Sequence, residues 1–143
     1  LDAKGFMGNS VPKVEVEKAI NTYKKFSEAT DQRLIASALS PTNGGIVVAL
    51  AKMAIAGDLG MDLDLSSLPE LYRKDFLLFS ESQSRFVVTV APENKEKFEA
   101  LFADIPHYLI GKTTEKKNFK IAEMIDTDIE TLNAHYRKTF KDF

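Results

Sequence analysis

Two short polar stretches of this chain carry residue types that could bind a ligand. The first is the turn Thr42-Asn43-Gly44-Gly45, which precedes an apolar run from Ile46 to Ala56. Free backbone N–H groups and the positive end of the dipole make a helix start a binding place for anions. Because glycine has no Cβ, a ligand can approach these groups closely. The turn therefore predicts a phosphate-binding site.

The same turn also has a structural interpretation. Thr42 and Asn43 are both good N-cap residues, because their side-chain oxygens accept hydrogen bonds from the first free N–H groups of a helix. Gly44 and Gly45 would let the helix and the sheet pack closely. No lysine follows the glycines as it does in a Walker motif, so the turn is not a P-loop. The residues alone leave the phosphate site and the packing role both open.

The second stretch is Ser80 to Arg85, in which three serines alternate with Glu81, Gln83 and Arg85. It leads directly into a β-branched run, and polar side chains at the mouth of a strand are well placed to bind a polar ligand. The alternative is a solvated loop with a Glu81–Arg85 ion pair, which contributes little when it is exposed.

Other candidate groups are weaker. Asp62 and Asp64 alternate with apolar residues, which fits a metal pair or the wet face of a strand, and no third ligand stands nearby. His107 and His135 are far apart in the sequence and lack metal-type spacing. The chain has no cysteine, which excludes disulfides and thiolate sites and suits a reducing compartment. We assign no catalytic residue and no metal ligand.

The elements that must position these stretches follow from periodicity and from turn residues. Apolar spacing predicts helices over 14–29, 46–56, 66–79 and 92–103, and strands over 34–38, 61–65, 86–90, 107–110 and 119–122. A hairpin-like turn would join the last two strands, and Gly111 would permit a bend after the first of them. A capping box of Thr127 and Glu130 would start the last helix. On this helix one face would carry Ile129, Leu132, Tyr136, Phe140 and Phe143.

Composition bounds the class of protein. At 143 residues the chain has the length of one domain, with residues 1–13 predicted as an arm or linker and 14–143 as the folded unit. The net charge is -2, and the basic residues are dispersed, which argues against nucleic-acid binding. The longest apolar run is too short for a membrane span. The chain lacks an initiator Met, so we expect a piece of a longer protein. Alternating helices and strands predict an α/β fold, a mixed sheet with helices on both faces.

Two longer patterns carry a family resemblance. GGIVVALAKMA before the acidic strand, followed by LFSESQSRFVVTV, resembles the C-terminal domain of the AIR synthase superfamily. The Glu-Ser-Gln-x-Arg form, the entry Val11-Pro12-Lys13-Val14 and the closing helix from Thr131 to Phe140 resemble one family more narrowly. That family is phosphoribosylformylglycinamidine synthase, the large synthetase component of purine biosynthesis, and the resemblance is to its second, C-terminal copy of this domain.

The resemblance implies a three-layer α/β/α domain with partial ferredoxin-like topology. It also implies a cytoplasmic parent enzyme that uses ATP and magnesium and receives ammonia from a glutaminase component. The family's catalytic histidine and most of its ATP and magnesium contacts lie in domains absent here. The partners of this chain would be the remaining synthetase domains, with no nucleic acid and no membrane. The alternative is a stand-alone ligand-binding or interaction module of the same superfamily.

The chain departs from the family at the first turn. Ser40 and Asn43 stand where the family has carboxylates that bind substrate or magnesium, and Thr42 replaces a serine. The backbone anion site needs only the two glycines and the helix end. The resemblance thus implies a structural copy, inactive alone, with an auxiliary nucleotide phosphate as its one candidate ligand. The candidate binding residues are Ser40, Thr42, Asn43, Gly44, Gly45, Glu81, Ser82, Gln83, Ser84 and Arg85.

Overall fold

A computed structural model of the chain describes residues 13–68 and 73–138. In these ranges helices and strands alternate as far as the last three strands, which follow one another directly. The helices are α1 (Val16–Asp31), α2 (Gly45–Gly57), α3 (Lys74–Phe79), α4 (Lys95–Leu101) and α5 (Ile129–Lys138), with a 3-10 turn at Pro92–Asn94. The strands are β1 (Ser37–Leu39), β2 (Gly60–Leu63), β3 (Val87–Thr89), β4 (Gly111–Thr114), β5 (Asn118–Ile121) and β6 (Ile125–Asp128).

The strands form two sheets of different size. β1 pairs antiparallel with β3, and the other four strands form a sheet in the order β4-β2-β5-β6. Within this larger sheet β2 and β5 are parallel, whereas the β2–β4 and β5–β6 pairs are antiparallel. The predicted α/β class with a mixed sheet is therefore confirmed.

The main hydrophobic core joins α2 to both sheets. Its most buried large side chains are Phe119 and Ile121 of β5, which are 1% and 0% exposed. Along β2 and just beyond it, Met61, Leu63 and Leu65 are buried while the two aspartates between them are exposed. The predicted alternation of this strand is confirmed, and Asp62 and Asp64 lie on its wet face.

Helices pack on both sides of β3. Val87 belongs to the main core, in which α2 lies. Its neighbour Phe86 stacks on Phe26 of α1, with ring centroids 4.3 Å apart, and contacts Tyr23 edge-on at 5.7 Å. Successive residues of an extended strand point to opposite faces. The layers α2, β1–β3 and α1 therefore follow one another, in agreement with the three-layer prediction.

The predicted hairpin between 107–110 and 119–122 is wrong. The strand begins at Gly111, after residues 107–110, and β4 and β5 both pair with β2, which lies between them. Gly111 has φ +145°, and a Cβ there would lie 2.2 Å from the carbonyl oxygen of Asp62. The glycine thus allows β4 to approach β2, and it does not mark a bend after a strand.

The predicted capping box is also wrong. Residues 125–128 form β6, and the cap of α5 is Asp128, whose carboxylate accepts from the Thr131 backbone N–H at 2.7 Å and from its hydroxyl at 3.0 Å. Thr127 lies inside the strand, because it pairs with Phe119.

Several sequence predictions concern parts of the chain beyond the described residues. The predicted arm covers residues 1–13, of which only Lys13 is described. Residues 69–72 of the predicted helix 66–79 are outside the described ranges, and so are Phe140 and Phe143 of the last predicted helix. Of that predicted helix, the described residues hold α3 and a turn at Ser66–Ser67. None of the helices that the structure describes is long and apolar enough to cross a membrane.

Candidate functional site

The β1–β3 pair brings the two predicted polar stretches together. Leu39 at the end of β1 pairs with Val87 at the start of β3, so the turn after β1 and the loop before β3 lie at the same end of this sheet. The Ser40 hydroxyl donates a hydrogen bond to the carbonyl of Arg85 at 3.1 Å and links the two stretches directly.

The start of α2 differs from the sequence prediction. Gly44 occupies the N-cap position with φ +88°, and Gly45 follows with φ +71°. The Gly45 N–H donates to the carbonyl of Thr42 at 2.9 Å. Two consecutive residues in the left-handed region are accessible to glycine without strain. For this reason the cap falls on Gly44, and Thr42 and Asn43 lie in the exposed turn before it.

The predicted anion position holds an anion from the chain itself. The Gly44 N–H donates a 2.8 Å hydrogen bond to Oε1 of Glu81, which belongs to the second polar stretch. A carboxylate at this place is favoured by the helix dipole and by the charge-assisted hydrogen bond. The ion pair between Glu81 and Arg85 considered above is not formed, since the described contacts of Arg85 are to other groups.

Gly45 also supports the packing interpretation of the turn. A Cβ at this position would lie 2.6 Å from the Leu78 carbonyl oxygen and 2.6 Å from the Phe79 carbonyl carbon. Both atoms belong to the backbone of α3, which cannot move aside as a flexible side chain can. The missing Cβ therefore lets the start of α2 lie directly against the end of α3.

Arg85 holds its own loop together. Its Nε donates to the carbonyl of Ser82 at 3.1 Å, and its Nη2 donates to the carbonyl and the hydroxyl of Ser80. The hydroxyls of Ser80 and Ser82 are hydrogen-bonded to each other at 3.0 Å. Desolvation by partial burial lowers the pKa of the Arg85 guanidinium below its usual value. The half-buried guanidinium therefore binds backbone carbonyls of its own loop. Glu81 instead accepts the hydrogen bond from the Gly44 N–H at the start of α2.

The tip of the loop faces α1. Ser84 has φ +62°, and its hydroxyl is 3.1 Å from the hydroxyl of Tyr23, while Gln83 is exposed. Sequence reasoning missed Tyr23, whose partner Ser84 is 61 residues away in the sequence, so no local pattern signals this contact. It included Ser80 in the second polar stretch but did not predict the contact of Ser80 with Arg85.

The two histidines have local structural contacts. Nδ1 of His107 lies 2.8 Å from the carbonyl oxygen of Ile105, and the ring packs edge-on against Phe98 and Phe102. The exposed His135 makes the same kind of contact to Thr131 at 2.8 Å. Across 13–68 and 73–138, no group of three or more acidic, histidine or cysteine side chains could hold a metal ion.

The chain is similar in sequence to a known protein family and to known proteins. Residues 2–123 match the family described as AIR synthase related protein, C-terminal domain. The phosphoribosylformylglycinamidine synthase subunit PurL of Methanocaldococcus jannaschii is 34% identical over 134 residues, which cover 91% of this chain and 18% of that protein. The corresponding subunit of Leuconostoc mesenteroides is 47% identical over 77 residues, covering 54% of this chain and 10% of that protein. The chain thus spans less than a fifth of these relatives.

Solved structures show the same fold. The crystal structure of phosphoribosylformylglycinamidine synthase II from Thermotoga maritima matches with a TM-score of 0.76 and 17% identity over 86% of this chain and 22% of that one. PurL of T. maritima complexed with ATP matches with a TM-score of 0.70 and 17% identity, over 78% of this chain and 21% of that one. At this level of identity the likeness concerns the fold.

Proposed function

Since this chain belongs to the AIR synthase related protein C-terminal domain family, we propose that it works as one domain of a phosphoribosylformylglycinamidine synthase. The parent enzyme would convert formylglycinamide ribonucleotide to formylglycinamidine ribonucleotide. ATP would phosphorylate the formamide oxygen, and ammonia would then displace the phosphate to give the amidine. The identity to PurL subunits over most of the chain supports this assignment.

Within that enzyme the domain has a structural role. The observation that carries this role is the 2.8 Å hydrogen bond from Gly44 to Glu81, because it fills the anion position of the turn with an internal carboxylate. Gly45 packs against the backbone of α3, and Arg85 is bonded to loop carbonyls. A nucleotide phosphate at this turn would have to displace Glu81, which favours scaffolding over nucleotide binding.

The cofactors and partners belong to the parent. The related T. maritima PurL has been solved in complex with ATP, ADP and AMPPCP. We propose that the parent of this chain likewise uses ATP, with magnesium, in its other domains. A glutaminase component would supply ammonia, and the reaction would take place in the cytoplasm.

The test compares the isolated chain with the full-length protein that contains it. Each is supplied with formylglycinamide ribonucleotide, ATP, magnesium and ammonia, and amidine and ADP are measured. We expect turnover by the full-length protein and none by the chain. A full-length protein that forms no amidine and yet binds a ligand through this domain would support the stand-alone module. Turnover by the chain alone, abolished by a substitution within it, would overturn the structural role.

A further inference from the structure

Asn43 and Gly44 form the one asparagine–glycine pair of the sequence. The pair lies in the turn before α2, where Asn43 is exposed and Gly44 has φ +88°. The backbone nitrogen that follows an asparagine can attack the side-chain amide, and a glycine at that place has no Cβ to obstruct the attack. The pair therefore has the composition and the exposure of a site of spontaneous deamidation.

Deamidation of this pair needs only water. The Gly44 nitrogen loses its proton to solvent base and bonds to Cγ of Asn43, the Cγ–Nδ2 bond breaks, and the departing nitrogen takes up a proton and leaves as ammonia. Water then opens the succinimide ring at either of its carbonyls. One opening gives aspartate and the other gives isoaspartate, in which the backbone runs through the former side chain. Either product carries a negative charge that asparagine lacks.

The attacking nitrogen has a hydrogen-bond partner in the folded chain. The Gly44 N–H donates to Oε1 of Glu81 at 2.8 Å. This hydrogen bond must break before the nitrogen can attack, and the nitrogen would then carry negative charge beside a carboxylate, which like-charge repulsion disfavours. A carboxylic acid is a far stronger acid than a backbone amide, so Glu81 is too weak a base to hold the amide proton. We propose that Asn43 is a deamidation site and that Glu81 restrains its conversion by holding the Gly44 N–H.

The products would change the turn that contains them. An aspartate at position 43 would place a second carboxylate beside the Gly44 N–H that Glu81 now binds, and the two carboxylates would repel each other. An isoaspartate would also lengthen the backbone between β1 and α2, close to the hydrogen bond from Ser40 to the Arg85 carbonyl. Deamidation would therefore weaken the contacts between the two polar stretches.

The experiment incubates the 143-residue chain at mildly alkaline pH and follows its tryptic peptides by mass spectrometry, with a brief digestion that limits deamidation during handling. The peptide of residues 34–52 contains Asn43 as its one side-chain amide, so the gain in mass from replacing NH2 by OH reports this residue alone. The peptide of residues 19–24 is the internal reference. Its Asn21 lies within α1 and donates to Asp104 at 3.1 Å, and it should stay unchanged.

Substitutions at Glu81 test the restraint. Glu81→Ala removes the acceptor of the Gly44 N–H and should speed the conversion of Asn43 by about two- to five-fold, the factor that corresponds to a carboxylate at a helix start. Glu81→Gln keeps a neutral acceptor and should give a rate between those of Glu81→Ala and the unaltered chain. Gln83→Ala, in the same loop, is the matched control and should leave the rate unchanged.

Three outcomes would overturn the proposal. One is a peptide 34–52 that gains no mass in the folded chain or in Glu81→Ala while the same peptide converts in urea, because the turn would then not be a deamidation site. Another is an equal or lower rate in Glu81→Ala, which would remove the restraining role of the carboxylate. The last is aspartate without isoaspartate at position 43, since a succinimide opens at both carbonyls. The measurement on the unaltered chain needs no variant, so a poorly folding substitution does not remove the test.

Discussion

Gly45→Ala tests the close contact between α2 and α3. The new Cβ would lie 2.6 Å from two backbone atoms of α3, and the residue would keep φ +71°. An L-residue in the left-handed region costs about 1–2 kcal/mol, and overpacking against a fixed neighbour costs about 1–3 kcal/mol. We therefore expect a loss of about 2–5 kcal/mol in the free energy of unfolding, or a Tm lower by roughly 5–15 °C.

Gly57→Ala is the matched control within the same helix. Its Cβ would meet Leu59 side-chain atoms at ordinary distances of 3.9 Å and 4.0 Å. Alanine is favoured over glycine in a helix by about 0.5–1 kcal/mol, so this variant should be as stable as the parent chain or slightly more stable. Both variants are measured by urea unfolding followed by circular dichroism, with the slope m checked for constancy. Equal midpoints for the two variants would refute the packing argument for Gly45.

Three further predictions concern charge. Glu81→Ala should lower the free energy of unfolding by about 0.3–1 kcal/mol, since it removes an exposed carboxylate that accepts from the Gly44 N–H at the start of α2. Gln83→Ala, in the same exposed loop, is the control in urea unfolding, and equal effects of the two variants would contradict the role of the carboxylate. The Thr131 hydrogen bonds lower the pKa of Asp128 from its ordinary 3.8. The stabilisation by this carboxylate is therefore present above that value and is lost as the pH falls through the lowered pKa. The difference in free energy of unfolding between the parent chain and Asp128→Asn should shrink below about pH 4, and a difference that stayed constant with pH would contradict this linkage. In NMR titrations with ATP we expect weak shifts at Gly44 that change little with magnesium and grow in Glu81→Gln, whereas tight magnesium-dependent binding would contradict a self-filled turn.

The sequence by itself determined the elements whose patterns are local. The sequence predicted the helix that follows the two glycines, the alternating strand β2 and the β-branched strand β3. These predictions were possible because hydrophobic periodicity indicates which face of a helix or strand is buried. The family was likewise predicted from residues 44–54 and 78–90, and the match over residues 2–123 confirms it.

Local patterns failed where pairing partners decided the outcome. Thr127 to Glu130 look like a helix start by themselves, yet Thr127 and Asp128 belong to β6, because β5 offers residues 125–128 an edge for pairing. Gly111 was predicted to permit a bend after a strand, yet it begins β4. A Cβ at this position would lie 2.2 Å from the carbonyl oxygen of Asp62 in β2, so only glycine allows the two strands to approach. Strand pairing joins residues that are remote in the chain, and periodicity within one segment contains no information about them.

Tertiary structure alone decided what the two polar stretches do. The sequence offered Glu81 as a partner for Arg85 and offered Gly44 as a place for phosphate. In the folded chain the antiparallel pairing of β1 with β3 brings Glu81 to the Gly44 N–H, and Arg85 binds the carbonyls of its own loop instead. The physical reason is distance: which donor meets which acceptor depends on the register of strands 48 residues apart, as in the pair Leu39 and Val87.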